Sequence, residues 1–130
     1  MLTALYMEET QRTPNINFDY EEGVLEIVGY RSMPEFSSKF YEPAMDWVEQ
    51  YVILSDRRNT LINIKLEYFN TSSGKCFVDI LKKLDKFAEK GHQVSLKWYY
   101  EDDDDDMNKS GDDITSSLRH ISVEKVSYKS

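Results

Sequence analysis

Hydrophobic and polar positions in this chain alternate, then recur at helical spacing, then alternate again. Leu5 to Glu8 reads as a short first strand. Thr13-Pro14 keeps the next stretch extended, because a residue before proline is pushed out of the α region. Ile16-Asn17-Phe18 alternates, and Asp19 to Gly23 is a turn with glycine available for positive φ. Val24 to Gly29 returns as a second strand. The pair predicts a β-hairpin with a loop of about five residues. Phe36, Phe40, Ala44, Trp47, Val48 and Tyr51 recur at three- and four-residue steps, which predicts an amphipathic helix over 35–54. Pro34 suits its first turn, where a missing N–H costs nothing. Pro43 falls inside it. An interior proline removes a backbone bond and clashes with the carbonyl four residues back. A kink near Tyr41, or a short helix followed by a longer one, is expected.

From Thr60 to Phe69 the chain alternates again, with Ile62, Ile64, Leu66 and Tyr68 pointing one way. A second helix over 72–90 follows, with apolar positions Phe77, Ile80, Leu81, Leu84, Phe87 and Ala88, and Cys76 alongside. Lys82, Lys83, Lys86 and Lys90 fill its outer face and later turns, favourable near a helix C-terminus. Gly91 suits the position just past its end. Val94 to Tyr100 reads as a strand and 101–106 as an acidic loop. A short helix opening in 102–110 breaks at Gly111, and Asp112-Asp113 caps a last helix over 113–119. His120 to Tyr128 reads as a final edge strand. The expected fold is one α/β domain spanning 1–130. It opens with a β-hairpin and continues helix-strand-helix-strand-helix around a mixed sheet. The strands 60–69 and 94–100 are central and adjacent, and the two long helices cover the faces.

Nine tyrosines, six phenylalanines and two tryptophans supply large core pieces. The net charge of −8 argues against nucleic acid as a partner, since binding a phosphate backbone needs positive charge. One cysteine excludes an intrachain disulfide and a cysteine-only metal cluster. No apolar run approaches the roughly 18 residues of a membrane span. The N-terminus lacks the basic and apolar regions of a signal peptide. A cytoplasmic location is the expectation.

The run Glu101-Asp102-Asp103-Asp104-Asp105-Asp106 invites a metal reading. An EF-hand loop wants glycine at its sixth position and glutamate at its twelfth. A start at Asp104 puts Lys109 and Thr115 there, and a start at Asp102 puts Met107 and Asp113 there. Neither fits, so no metal is expected and the run reads as a solvated acidic loop. Nucleophilic catalysis lacks a base: His92 follows Gly91 in a turn, His120 begins an edge strand, and Cys76 lies beside a buried helix face. Gly74-Lys75 lacks the upstream glycine of a phosphate-binding P-loop. No cofactor site and no enzymatic activity are expected.

The segment Asn70-Thr71-Ser72-Ser73-Gly74-Lys75 joins the clearest strand to the clearest helix. One side-chain oxygen there suffices to cap the helix. Three consecutive hydroxyls exceed that need. A helix start also holds an anion well, so a phosphoryl group on one of them would find hydrogen bonds while adding nearly two negative charges. Capping and switching both remain readings of this segment.

Tyr68-Phe69-Asn70-Thr71-Ser72-Ser73-Gly74-Lys75 resembles the signature of the SiaC family of bacterial regulatory phosphoproteins. Three further blocks agree in order and spacing. They are Thr13 to Asp19 with Gly23 to Ile27, then Pro34-Glu35 with Phe40 to Pro43 and Trp47, then Trp98 to Met107 with Gly111 to Asp113. The likeness covers roughly residues 5–115. It departs at Tyr30 and at Phe36-Ser37, where small or polar residues are commoner, and the tail after Leu118 has no counterpart that aligns. The resemblance implies a STAS-like, anti-sigma-factor-antagonist type of fold and a non-enzymatic partner switch. It implies a serine/threonine kinase and a PP2C-type phosphatase as partners. It also implies a diguanylate cyclase, the enzyme that makes cyclic di-GMP, activated by the unmodified form. The phosphoacceptor falls on Thr71, with Ser72 and Ser73 as alternates. The partner-binding surface falls on Asn70, Thr71, Ser72, Ser73 and Lys75.

Overall fold

A computed structural model of the chain describes residues 2–56 and 59–129. Strands β1 (Leu5–Met7), β2 (Asn15–Asp19) and β3 (Val24–Val28) form an antiparallel meander, in which the turn 20–23 places Gly23 at φ 68°. The chain then passes through β4 (Arg31–Ser32), α1 (Ser37–Phe40) and α2 (Glu42–Leu54) to β5 (Asn59–Lys65) and β6 (Tyr68–Phe69). Helix α3 (Thr71–Glu89), β7 (Gln93–Glu101), α4 (Asp105–Thr115) and β8 (Ser122–Tyr128) complete it. The main sheet runs β1-β2-β3-β5-β7-β8, with β3, β5, β7 and β8 parallel to one another. Strands β5 and β7 are adjacent and central, as the alternation predicts, and β8 lies at the edge. Strands β4 and β6 form a separate parallel pair.

The register shows why one face is buried. Phe18, Leu25, Ile62 and Leu96 follow one another across the sheet, as do Ile16, Ile27, Ile64 and Trp98. All are at most 2% exposed. Successive strand residues point to opposite faces, so the positions between them form a second, partly open face. Both long helices lie on the first face, rather than one on each side. Trp47 of α2 packs on Phe18 at 5.3 Å, and Tyr51 meets Phe87 of α3 at 5.9 Å. Tyr51 hides its hydroxyl 2.7 Å from Thr60 Oγ1, so this buried phenol keeps a hydrogen bond.

Pro43 divides the 35–54 segment as expected, standing in the first turn of α2 after the short α1. Pro34 lies before either helix, and the capping position ahead of α1 is held by Phe36, which makes no side-chain cap. Three expected elements change. The 60–69 strand leaves the sheet after Lys65, because the N–H groups of Glu67 and Tyr68 donate to the Tyr30 carbonyl at 2.8 and 3.2 Å. Tyr68 consequently faces solvent instead of joining Ile62 and Ile64. Near the C-terminus one helix, α4, runs straight through Gly111, and the expected helix over 113–119 does not form. The indole of Trp98 fills the space a side chain would need at Gly111, where a Cβ would stand 2.6 Å from Trp98 Cδ1. The acidic run is also only partly loop. Asp104 caps α4 by accepting the Met107 N–H at 2.9 Å, and Asp105 and Asp106 begin the helix. From β8, Lys125 points to the helical face, 2.8 Å from Asp112 Oδ1 and 2.8 Å from Asn108 Oδ1.

Candidate functional site

The parallel pair β4–β6 fixes where α3 begins. Ser32 lies opposite Phe69, and the Asn70 N–H donates to the Ser32 carbonyl at 3.0 Å. Asn70 is extended, with φ −82° and ψ 167°, and its Oδ1 accepts the Ser73 N–H at 2.9 Å. This is the capping role expected of one residue in the stretch. Gly74 lets the Phe69 ring lie across the first turn, where a Cβ would come 3.0 Å from Phe69 Cε2. Phe69 in turn packs edge-on against Phe77 and Trp98.

The three hydroxyls that follow Asn70 have different surroundings. Ser73 is fully buried, with its Oγ 2.8 Å from Ser32 Oγ and 3.3 Å from Ser37 Oγ. Ser32 Oγ also lies 2.6 Å from the Tyr41 hydroxyl. Burial pushes the Tyr41 phenol well above its ordinary pKa, against the hydrogen bond to Ser32, so it stays protonated. Ser72 is exposed but tied, 2.7 Å from Ser37 Oγ and 3.3 Å from Asn70 Oδ1. Thr71 is exposed at the first helical position. Among the described residues, nothing bonds its hydroxyl. Lys75, one turn later, is exposed on the same side.

Thr71 also stands on the rim of a groove of about 480 Å³ between α3 and α4, whose walls include Phe69, Val78, Lys75, Ile114 and Asp113. Around the same helix start, Tyr68 is 51% exposed, Phe36 66% and Tyr30 51%. The Arg31 guanidinium lies over the Tyr30 ring at 4.6 Å. Phe36 immediately precedes Ser37, the partner of Ser72. So the two aromatic departures, Tyr30 and Phe36, both border the candidate site.

The residues considered for catalysis do not assemble. Cys76 is half-buried near the start of α3, with its thiol pKa pushed up by burial and by Asp79. His92 stacks on Phe87 and His120 lies 3.7 Å from Glu89, both near the other end of α3. Among the described residues, no three His, Cys, Asp or Glu side chains are grouped to hold a metal ion. No helix among them is long and apolar enough to cross a membrane.

A family model for the SiaC family of regulatory phosphoproteins matches residues 7–128. The chain belongs to the SiaC family. The match includes 119–128, the tail for which sequence reading found no counterpart, and this is the segment that forms β8. As a SiaC family member the protein is regulatory rather than catalytic. An uncharacterised protein of Pseudomonas aeruginosa is 38% identical over 101 residues, covering 77% of this chain and 78% of that one. The crystal structure of the diguanylate cyclase SiaD in complex with its activator SiaC, from the same species, contains a chain with TM-score 0.88 and 29% identity. SiaC of P. aeruginosa, in a further structure, gives TM-score 0.84 at 29% identity. Each covers 95% of this chain, which covers 99% of each.

Proposed function

We propose that this SiaC family protein is a cytoplasmic partner switch that turns on Thr71. A serine/threonine kinase phosphorylates Thr71, a PP2C-type phosphatase reverses it, and the unmodified form binds and activates a diguanylate cyclase. The observation that carries the reading is the contrast among neighbours: Ser73 is buried, Ser72 is bonded to Ser37, and Thr71 is exposed with a hydroxyl that no described residue bonds. The SiaC–SiaD complex supports the class of output partner.

The physical consequences follow from position. A phosphate on Thr71 sits at the positive end of a 19-residue helix, beside the N–H groups of Thr71 and Ser72. Lys75, four residues on, supplies a cation at the spacing where helix side chains meet. The modification therefore leaves the fold intact. A partner closing over the site must instead desolvate a group carrying close to two charges. An unpaired buried charge costs several kcal/mol, so affinity falls about a hundredfold or more. Asn70, Ser72 and Lys75 frame this contact, and Tyr30, Phe36 and Tyr68 extend it.

The test is kinase labelling with site mapping, alongside cyclase affinity for each form. Thr71→Ala should bind the cyclase and resist the kinase, and Thr71→Asp should weaken binding only in part. Full labelling of Thr71→Ala would remove Thr71 from the role. Unchanged cyclase affinity after complete phosphorylation would leave a constitutive binding module.

A further inference from the structure

At the far end of α3 from Thr71, a second surface combines exposed apolar side chains with positive charge. Ile53 is 80% exposed and Leu54 51% exposed, at the end of α2. Beside them, Val52, Phe87, Lys83, Lys86 and Lys90 line a groove of about 620 Å³ between α2 and α3. Lys83 is held by Glu49 at 3.3 Å. Lys82, Lys86 and Lys90 are exposed and, among the described residues, take part in no ion pair. In a chain with net charge −8, this is a local cationic stripe around an apolar strip.

We propose that this groove docks an acidic amphipathic helix of a partner protein. An amphipathic helix fits such a groove by laying an apolar ridge into it, here against Ile53, Val52 and Phe87. Glutamates flanking that ridge meet Lys82, Lys86 and Lys90. The alternatives fit less well. An anionic membrane attracts basic clusters, but it also repels the rest of a chain at −8. A second copy offers acidic residues on α4, yet the apolar side of that helix, with Met107 and Ile114, is already buried in the core. Lys86 lies 15 residues beyond Thr71, which is about 22 Å along the helix. The two surfaces can be occupied together, and docking at the groove is indifferent to phosphate on Thr71.

The experiment titrates the full chain, labelled for NMR, with two helix-stabilised peptides of identical glutamate and leucine composition. One places its leucines in a single stripe and the other scatters them. The striped peptide should shift amides in 49–54 and 82–90 and leave 71–75 unmoved. Its affinity should fall about tenfold or more in the Lys86→Glu/Lys90→Glu variant and in Ile53→Ser. Both variants should keep the wild-type melting temperature, because the altered side chains are exposed. Equal binding of the scattered peptide, shifts confined elsewhere, or unchanged affinity in both variants would overturn the proposal. So would lysine-dependent sedimentation with phosphatidylglycerol vesicles, or a concentration-dependent dimer abolished by Ile53→Ser, since each names a different occupant.

Discussion

The Ile121 N–H donates to Asp85 Oδ1 at 2.9 Å, tying the C-terminal part of α3 to the residue that precedes β8. The N–H groups of His120 and Arg119 reach the same carboxylate at 2.9 and 3.2 Å. One side chain thus seats the start of the last strand, much as an N-cap seats a helix.

Asp85→Ala should lower stability by about 1–2 kcal/mol, the scale of a lost carboxylate cap. Partial burial works to raise the Asp85 pKa, but the N–H groups of His120, Ile121 and Arg119 outweigh it, and the value falls below the ordinary 3.8. A depressed carboxylate stabilises the fold above its unfolded pKa, and the contribution fades as pH drops through the folded value. Thermal melts at neutral pH should therefore separate wild type from variant, and melts at strongly acid pH should bring them together. A gap that widens in acid would contradict this.

Gly111→Ala should destabilise, although alanine favours a helix by about 1 kcal/mol over glycine. The added Cβ meets the Trp98 indole, and that ring cannot swing freely because its Nε1 donates to the Met107 carbonyl at 3.0 Å. Overpacking of this kind costs about 1–3 kcal/mol. A lowered melting temperature with altered tryptophan emission is expected. A stabilised variant would show that the indole moves aside.

Ser73→Ala and Ser72→Ala should part company in stability. Removing Ser73 Oγ takes a partner from Ser32 at a site with no solvent access, worth about 1–3 kcal/mol. Removing Ser72 Oγ leaves the Ser37 hydroxyl its contacts with Ser73 Oγ at 3.3 Å and Asn70 Oδ1 at 3.5 Å, and should change the melt little. Both variants should still be phosphorylated, and mass spectrometry after kinase treatment checks this. Loss of labelling in Ser72→Ala with an unchanged melt would move the phosphosite.

Asp104→Ala should cost about 1 kcal/mol as a lost cap, whereas Asp103→Asn should be nearly neutral. Added calcium should leave the melting temperature of the wild type unchanged. A clear rise would restore a cation site to the acidic segment.

Phe36→Ala and Tyr68→Ala should each weaken cyclase binding without altering the melt. Large exposed aromatics are frequent anchors at interfaces, where truncation costs about 2 kcal/mol or more. Calorimetric titration against the cyclase decides. Wild-type affinity in both would move the contact away from the start of α3.

The strands and long helices were legible because each buries one face of a regular element, and that burial writes a period into the sequence. Val94, Leu96 and Trp98 carry it plainly. What stayed hidden depends on contacts distant in sequence. Nothing near Leu66 announces that the Tyr30 carbonyl will claim the next two N–H groups. Gly111 looks like a helix breaker until Trp98 is seen against it. At the candidate site, Asn70 to Lys75 stood out by composition. Their partners Ser32, Ser37 and Tyr41 lie more than a helical turn away along the chain and carry no periodic signal. The aromatic departures at Tyr30 and Phe36 were the available clue, and both border the site.

Lys125 carries a consequence beyond its bonds to Asp112 and Asn108. An outermost strand of seven residues with open backbone groups is a template for unwanted strand addition. A lysine turned inward at the middle of that strand resists it, since an added strand would bury the ammonium away from water. At the opposite border, β1 is only three residues long and offers little to copy. The sheet therefore guards both margins against aggregation, by charge on one side and by brevity on the other.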